Sequence, residues 1–278
     1  MLEIRVQLPT VLRMLFDFDA AIAVRPLGDG VYDTPIRNGW DIMGNANGGY
    51  LLALVAEAMK AESGRRDPIS ITAHYLSPGL VGDATTTVQV VKQGRRFATV
   101  QAALQRDGKD VMRIIGTFGD VDTDPLAPRR ELVLPEVPAY DDCPRRDAGD
   151  GAPAIMDKVP VRLHPDDVGF ALGRPSGKGT MRGWVKFADD RPHDTVSLLL
   201  ASDALPPPIF NIDGETGWVP TVELTVHVFA RPAPGPLLCS FVSNLVQAGM
   251  LEEDGAMWDS RGVCVATSRQ IALQPRAH

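Results

Sequence analysis

One short pattern occurs twice in this chain, once in each half, and each copy follows a helix-like segment. The first copy is residues 72–78 (TAHYLSP), and the second is residues 225–232 (TVHVFARP). After each copy the chain alternates between apolar and polar residues in runs that are divided by glycine-containing turns. An internal repeat of this length indicates one folding unit per copy. The sequence therefore predicts two copies of one helix-on-sheet module.

The first half predicts a buried helix followed by an antiparallel meander. Residues 50–61 follow Gly48-Gly49 and are apolar at helical spacing on most faces, which is typical of a buried helix. Residues 69–118 alternate in three or four runs, and Asp107-Gly108 between two of them is a hairpin signal. Because no helical pattern separates these runs, we expect an antiparallel sheet.

The second half predicts the same order of elements. Asp194 is a candidate N-cap for a helix over residues 195–204, and three prolines at 206–208 end that helix. We expect one long central helix in each half. The remaining predictions are a helix over residues 8–18 and strands over residues 21–24, 159–163, 179–187 and 219–273.

A proline-rich connector divides the 278 residues into two modules of ordinary domain size. Residues 119–153 contain six prolines and many charges, with few apolar residues at any period. Such a segment runs over the surface and ties two modules together. We expect an N-terminal module at residues 1–118, this connector, and a C-terminal module at residues 154–278.

Charge and cysteine content limit the partners and the compartment. The net charge of −7 and the pI near 5.2 argue against a nucleic-acid partner, which requires a basic surface. The three cysteines are odd in number and form no close pair, so a reducing compartment is favoured over a disulfide framework. The longest apolar stretches are too short to span a bilayer, and no clean signal peptide is visible. We expect a cytoplasmic protein with no membrane span.

Several short segments match landmarks of one enzyme family. They are Gly48-Gly49 at the first helix, residues 74–79 (HYLSPG), residues 201–203 (ASD), residues 221–223 (TVE) and residues 265–270 (VATSRQ). In these segments and in its order of elements the chain resembles the acyl-CoA thioesterase II family. The resemblance spans most of the chain and implies an α+β double hotdog fold, in which two helix-on-antiparallel-sheet modules form a pseudo-dimer. It also implies a homo-oligomer that pairs through the sheets.

The resemblance implies that Asp203, Thr221 and Gln270 are the catalytic residues, because they occupy the family's aspartate, threonine and glutamine positions in the same order. A buried carboxylate can act as a general base, while threonine and glutamine can hold a water molecule by hydrogen bonds. Thr225 is the nearest alternative to Thr221. The substrate implied is an acyl-CoA thioester, hydrolysed to free acid and coenzyme A.

The expected substrate contacts come from the first half. Gly48 and Gly49 would let the acyl carbonyl approach closely, with backbone N–H groups at the helix N-terminus stabilising an oxyanion. Arg95 and Arg96 are candidates for the phosphates of coenzyme A. We expect no metal site and no cofactor apart from the coenzyme A of the substrate, because no His, Cys or carboxylate cluster has metal-ligand spacing and no nucleotide-binding glycine loop follows a strand.

Three other polar residues are interpreted as structural. His74 and His227 occupy equivalent positions of the repeat, which favours a structural hydrogen bond before a turn over catalysis. Glu57 in the first helix matches no catalytic position and is expected to make a packing or hydrogen-bonding contact.

Two alternative functions stay open at this point. A hotdog enoyl-CoA hydratase would carry an aspartate five residues before a histidine, and none of the five histidines has one. A non-catalytic acyl-CoA or acyl-chain binding protein would keep the fold and lose the chemistry. A turnover assay separates that second alternative, because a binding protein retains acyl-CoA without releasing thiol.

Overall fold

The computed structural model describes residues 16–121, 130–145, 153–215 and 217–274. Its α-helices are Asp17–Ala21 (α1), Gly48–Ser63 (α2), Ser197–Ala201 (α3) and Phe210–Asp213 (α4). The strands of the first half are Arg25–Gly28 (β1), Val31–Asp33 (β2), Asp41–Ile42 (β3), Asn45–Ala46 (β4), Asp67–Tyr75 (β5), Thr85–Gln93 (β6), Ala98–Arg106 (β7) and Lys109–Gly119 (β8). Those of the second half are Val161–Leu163 (β9), Thr180–Val185 (β10), Thr221–Val228 (β11), Leu237–Val242 (β12), Val246–Gln247 (β13), Met250–Trp258 (β14) and Cys264–Leu273 (β15). Short 3-10 helices lie at Tyr140–Asp142, Ala154–Asp157, Pro165–Asp167 and Gly169–Leu172.

One antiparallel sheet runs through both halves. Its strand order is β1-β2-β6-β7-β8-β5-β11-β15-β14-β12-β10-β9, and β13 pairs with β14. The central pairing of β5 with β11 joins the two modules edge to edge. The short strands β3 and β4 form a separate hairpin. The antiparallel sheet and the helix-on-sheet modules predicted from the sequence are confirmed.

The two halves are related by a pseudo-twofold axis at the centre of this sheet. Thr72 on β5 lies opposite Thr225 on β11, and their hydroxyl oxygens are 2.9 Å apart across a chain separation of 153 residues. His74 and His227 have the same separation. The repeat detected in the sequence therefore corresponds to the symmetry of the molecule.

The sequence of α2 explains its burial against the first half of the sheet. Asn47 caps the helix, since its Oδ1 accepts a hydrogen bond from the N–H of Tyr50 at 2.9 Å. Gly64 ends the helix in the left-handed conformation, with φ of 64°. Of the 16 residues of α2, 11 are buried, including Leu52 and Leu54. The predicted buried helix is confirmed and extends two residues further at each end.

The second central helix is much shorter than predicted. Asp194 accepts a hydrogen bond from the N–H of Ser197 at 2.8 Å, as a capping residue does, but regular helix ends at Ala201. The backbone hydrogen bonds that follow span three residues instead of four, as in a 3-10 helix. One example runs from the N–H of Asp203 to the carbonyl of Leu200 at 3.1 Å. The expectation of a long helix in each half is wrong for the second half.

The other differences concern the segments that flank the modules. The strand predicted at residues 21–24 is wrong, because α1 extends to Ala21 and β1 begins at Arg25. Most of the helix predicted over residues 8–18 lies outside the described residues. Residues 130–145 of the connector are irregular apart from one 3-10 helix and an isolated β-bridge between Arg145 and Arg162. The indole N–H of Trp184 on β10 donates to the carbonyl of Pro138 at 2.9 Å. No helix within the described ranges is long and apolar enough to cross a membrane.

Candidate active site

A cavity of about 360 Å³ lies between the two modules at the N-terminal end of α2. The first half contributes Asn47, Gly48 and Tyr75 to its wall, together with the hairpin of β3 and β4. The polar residues from the second half are Asp203, Glu215, Thr221, Glu253 and Gln270. Most other lining residues are apolar, and they include Ile42, Leu51, Leu76, Ile155, Leu205, Phe210, Trp218 and Leu251. The structure therefore brings together the three predicted catalytic residues and the glycine pair.

Asp203 follows α3 and reaches across to the start of α2 in the other module. Its Oδ2 accepts hydrogen bonds from the N–H of Gly49 at 3.0 Å and from Nδ2 of Asn47 at 2.9 Å. Nδ2 of Asn47 also donates to the Asp203 carbonyl at 2.8 Å. Asn47 thus caps α2 with its oxygen and holds Asp203 with its nitrogen, which fixes the carboxylate against the helix N-terminus.

Opposing effects set the protonation of Asp203. Burial raises its pKa to about 6, while hydrogen bonds from the backbone of Gly49 and Gly48 and from the Asn47 side chain oppose the increase. The positive end of the α2 dipole acts in the same direction as those hydrogen bonds. Asp203 is therefore mainly ionised at neutral pH and still basic enough to accept a proton.

The glycine pair lies against the second module. The N–H of Gly49 donates to Asp203 and so supports that carboxylate, while the expected approach of an acyl carbonyl to Gly48 and Gly49 stays a prediction. A Cβ at Gly49 would lie 2.7 Å from the carbonyl oxygen of Leu199 and 2.8 Å from that of Leu200. Only glycine lets the two helix ends approach this closely.

Thr221 and Gln270 lie on the neighbouring strands β11 and β15. Oγ1 of Thr221 donates a hydrogen bond to Oε1 of Gln270 at 2.9 Å. Thr225, the alternative threonine, instead bonds Thr72 and Glu223 near the pseudo-twofold axis and does not line the cavity. The geometry therefore favours Thr221 as the threonine of the site.

Glu253 on β14 is a site residue that the sequence reasoning missed. It is 3 % exposed, its Oε1 accepts a hydrogen bond from Nε2 of Gln270 at 2.7 Å, and burial raises its pKa to about 8. A signal was present, because Glu253 is in phase with the inward-facing Leu251 and Met257 of an alternating strand. A glutamate at such a position is unusual, which makes Glu253 a candidate functional residue.

The structure does not bring the remaining candidates to the cavity. Arg95 and Arg96 lie in the turn between β6 and β7, where the Arg95 carbonyl accepts a hydrogen bond from Arg65 just beyond the C-terminal end of α2. The site lies at the other end of this 16-residue helix, roughly 24 Å away at 1.5 Å per residue. The proposed role of these two arginines in binding phosphate gains no support from this placement.

The residues interpreted as structural lie elsewhere. His74 and His227 are exposed. Among the contacts of the described residues, neither imidazole makes the structural hydrogen bond that we expected. Glu57 forms an ion pair with Lys60 at 2.6 Å, which confirms a hydrogen-bonding role. Within the described ranges, no group of three or more His, Cys, Asp or Glu side chains is arranged to hold a metal ion.

Two helix-on-sheet modules that share one antiparallel sheet define the double hotdog class of protein. Solved structures with this arrangement include a conserved hot dog protein of Alicyclobacillus acidocaldarius, at a TM-score of 0.82 and 22% identity over 94% of this chain and 98% of that one. Another is the acyl-CoA thioesterase II TesB2 of Mycobacterium marinum, at a TM-score of 0.68 and 15% identity over 92% and 97% of the two chains. These likenesses show the fold.

Sequence comparisons show the family. Profiles of the acyl-CoA thioesterase N-terminal and C-terminal domains match residues 36–119 and 137–274. A provisionally assigned thioesterase II of Thermobifida fusca YX is 32% identical, with a TM-score of 0.87 over 95% of this chain and 99% of that one. An uncharacterised Mycobacterium tuberculosis protein is 26% identical over 93% of this chain and 98% of its own length. The chain belongs to the acyl-CoA thioesterase II family.

Proposed function

We propose that this protein hydrolyses acyl-CoA thioesters by means of a water molecule held between Asp203, Thr221 and Gln270. The observation that carries the proposal is that these side chains line one cavity although they come from three separate elements. Asp203 stands at the positive end of α2, while Thr221 and Gln270 are already joined by a hydrogen bond. A non-catalytic binding protein has no need for a carboxylate and two water-holding groups at one point.

Asp203 acts as the general base in this scheme. It removes a proton from the water as the water oxygen attacks the thioester carbonyl carbon, and a tetrahedral intermediate forms. The C–S bond then breaks, the sulfur leaves with its electron pair, and the proton held by Asp203 passes to it. The products are the free acid and coenzyme A. This sequence requires neither a metal ion nor an organic cofactor.

The acyl group is assigned to the apolar part of the cavity. Side chains such as Leu51, Leu205 and Phe210 line it, and burying a hydrocarbon chain against them is favourable at about 0.8 kcal/mol per CH₂. Among the residues that the structure describes, no Lys, Arg or His side chain lines this cavity. The cavity therefore suits an uncharged acyl group, with the coenzyme A portion extending out of it.

The first experiment measures thiol release from a panel of acyl-CoA thioesters by wild-type protein and by Asp203→Asn. The substitution keeps the shape and removes the base, so turnover should fall about 100- to 10,000-fold. Thr221→Ala and Gln270→Ala should each lower turnover by a smaller factor. Adding either change to Asp203→Asn should lower turnover little further, because all three side chains act on one water.

Thr225→Ala is the matched control, since Thr225 is on the same strand as Thr221 but does not line the cavity. It should keep turnover close to that of wild type. Near-normal activity in folded Asp203→Asn would contradict the mechanism. Retention of acyl-CoA without thiol release by the wild-type protein would identify a binding protein instead.

A further inference from the structure

Glu253 occupies a position at which a carboxyl group costs free energy. It faces inward from β14 between Leu251 and Gly255, and only 3 % of it is exposed. Its Oε2 is buried and has no hydrogen-bond partner among the described residues, and none of the described ion pairs includes it. Removing a carboxyl group from water in this way is unfavourable unless it is compensated. The packing of the strand alone does not explain a glutamate here.

The symmetry of the molecule supports the same conclusion. Gln270 lies between Glu253 and Leu224 in the sheet, and in the first module Gly116 lies between Val100 and Ile71 in the same way. Glu253 and Gln270 therefore correspond to Val100 and Gly116. Val100 is fully buried. Since the equivalent sheet position is filled by a valine in the first module, the fold itself does not require a carboxyl group there.

The contacts of Glu253 point to Gln270. Its Oε1 accepts from Nε2 of Gln270 at 2.7 Å, and Oε1 of Gln270 in turn accepts from Thr221 at 2.9 Å. One side of the amide is therefore held by Glu253 and the other by Thr221. In this chain of hydrogen bonds Gln270 keeps one N–H, and Thr221 keeps its oxygen lone pairs, for a water molecule.

We propose that Glu253 is a positioning residue, which fixes the side-chain amide of Gln270 so that Gln270 and Thr221 hold the attacking water. The assignment rests on the proposed thioesterase function and extends it to a residue outside the aspartate, threonine and glutamine set. Glu253 acts through Gln270 and does not itself exchange a proton with the substrate.

The protonation of Glu253 agrees with this role. Burial is the largest cause of its raised pKa of about 8, and the negative charge of Asp203 raises it further. At neutral pH Glu253 is therefore mainly uncharged, and it holds Gln270 without adding a second negative charge next to the base. The flanking carboxylates Glu252 and Asp254 pair with Arg269, which is 64% exposed.

The test compares Glu253→Met with Glu253→Gln in the thiol-release assay. Methionine has a similar length but offers Gln270 only a weak acceptor, so kcat should fall about 10- to 100-fold, as for a small misplacement of a reacting group, with KM nearly unchanged. In Glu253→Gln the amide oxygen can still accept the hydrogen bond from Nε2 of Gln270, so kcat should stay within about threefold of wild type. Glu252→Met is the matched control, because it is adjacent in sequence and outside the cavity, and it should keep wild-type kcat.

A double-mutant cycle separates positioning from a loss of stability. Glu253→Met should cost almost nothing further in a Gln270→Ala background, because its effect passes through Gln270. Independent costs that multiply, or wild-type kcat in folded Glu253→Met, would overturn the assignment while leaving the thioesterase function intact. If Glu253→Met does not fold, Glu253→Val, which copies Val100, takes its place in the cycle. Absence of thiol release by the wild type on every acyl-CoA would overturn both proposals.

Discussion

At the scale of single residues, Asp203 and Glu253 line one cavity and hold different protonation states near neutral pH. Glu253 is buried and Asp203 is half-buried, and burial raises the pKa of both carboxyl groups. Asp203 also accepts hydrogen bonds from the start of α2, so its pKa rises only to about 6. Among the described residues, Glu253 accepts only one hydrogen bond, from Gln270. Burial and the negative charge of Asp203 raise its pKa to about 8. Because their pKa values differ in this way, one carboxyl group can act as a base while the other stays neutral and makes a supporting hydrogen bond.

The first consequence is a pH dependence of turnover. A general base is active only when it is deprotonated, so kcat/KM should be low below pH 6 and should rise as the pH passes through about 6. The measurement is kcat/KM for one acyl-CoA from pH 4.5 to 7.5, with Thr225→Ala as a control that keeps the same profile. A flat profile between about pH 5 and 7 would rule out Asp203 as the base with this pKa.

At the scale of elements, the site depends on how closely two helix ends approach. The start of α2 supplies the N–H of Gly49 to Asp203, and the turn that follows α3 supplies Asp203 itself. Neither helix holds the carboxylate alone. α3 ends at Ala201, and Pro206-Pro207-Pro208, which follow Asp203, keep helical structure from extending beyond this turn. The short second helix is therefore part of how the site is built.

Gly49→Ala should damage the site through this contact. The new Cβ would lie 2.7 and 2.8 Å from two backbone carbonyl oxygens of α3, so the helix ends must separate. We expect a loss of about 1–3 kcal/mol in the free energy of unfolding and a fall of about 10- to 100-fold in kcat. Both are measured on the same preparation, by denaturant unfolding and thiol release.

Ala61→Gly is the control for stability, since Ala61 is exposed near the far end of α2 and the change weakens the helix by about 1 kcal/mol. Its kcat should match that of wild type. Equal kcat values for the two variants would show that the contact at Gly49 does not govern the site.

At the scale of the whole molecule, several kinds of contact join the two modules. The backbones of β5 and β11 pair, Asp203 contacts the start of α2, and Asp67 on β5 accepts hydrogen bonds from Thr195 and Arg231 of the second half. Asp67 is fully buried, so these bonds satisfy a carboxylate that has no access to water. Separating the modules would leave that charge, and the edges of two central strands, without partners.

We therefore expect the two modules to unfold together, although the sequence divides them by a connector. Thermal unfolding should be one cooperative transition with equal calorimetric and van't Hoff enthalpies. Differential scanning calorimetry at several scan rates makes the measurement. Two resolved transitions, or a calorimetric enthalpy well above the van't Hoff value, would show that the modules unfold independently.

Much of the architecture could be predicted because it follows from local sequence patterns, namely the internal repeat, helical spacing of apolar residues and strand alternation. The repeat around His74 and His227 gave two modules, the apolar run after Gly48-Gly49 gave α2, and alternation gave the strands of the first half. The length of α3 could not be predicted well, because a short apolar run suits several lengths of helix and only its packing against α2 decides where it ends.

The sequence by itself determined the two-module architecture, since periodicity and order along the chain carry that information, whereas the candidate site residues came from the resemblance to the acyl-CoA thioesterase II family. Only the tertiary structure decided that Thr221 rather than Thr225 lines the cavity, and that Glu253 holds Gln270. Both outcomes depend on strand register and on which face of the sheet each side chain occupies. Register joins residues that are far apart in the chain, so a pattern within one strand identifies a buried glutamate but not the partner it meets.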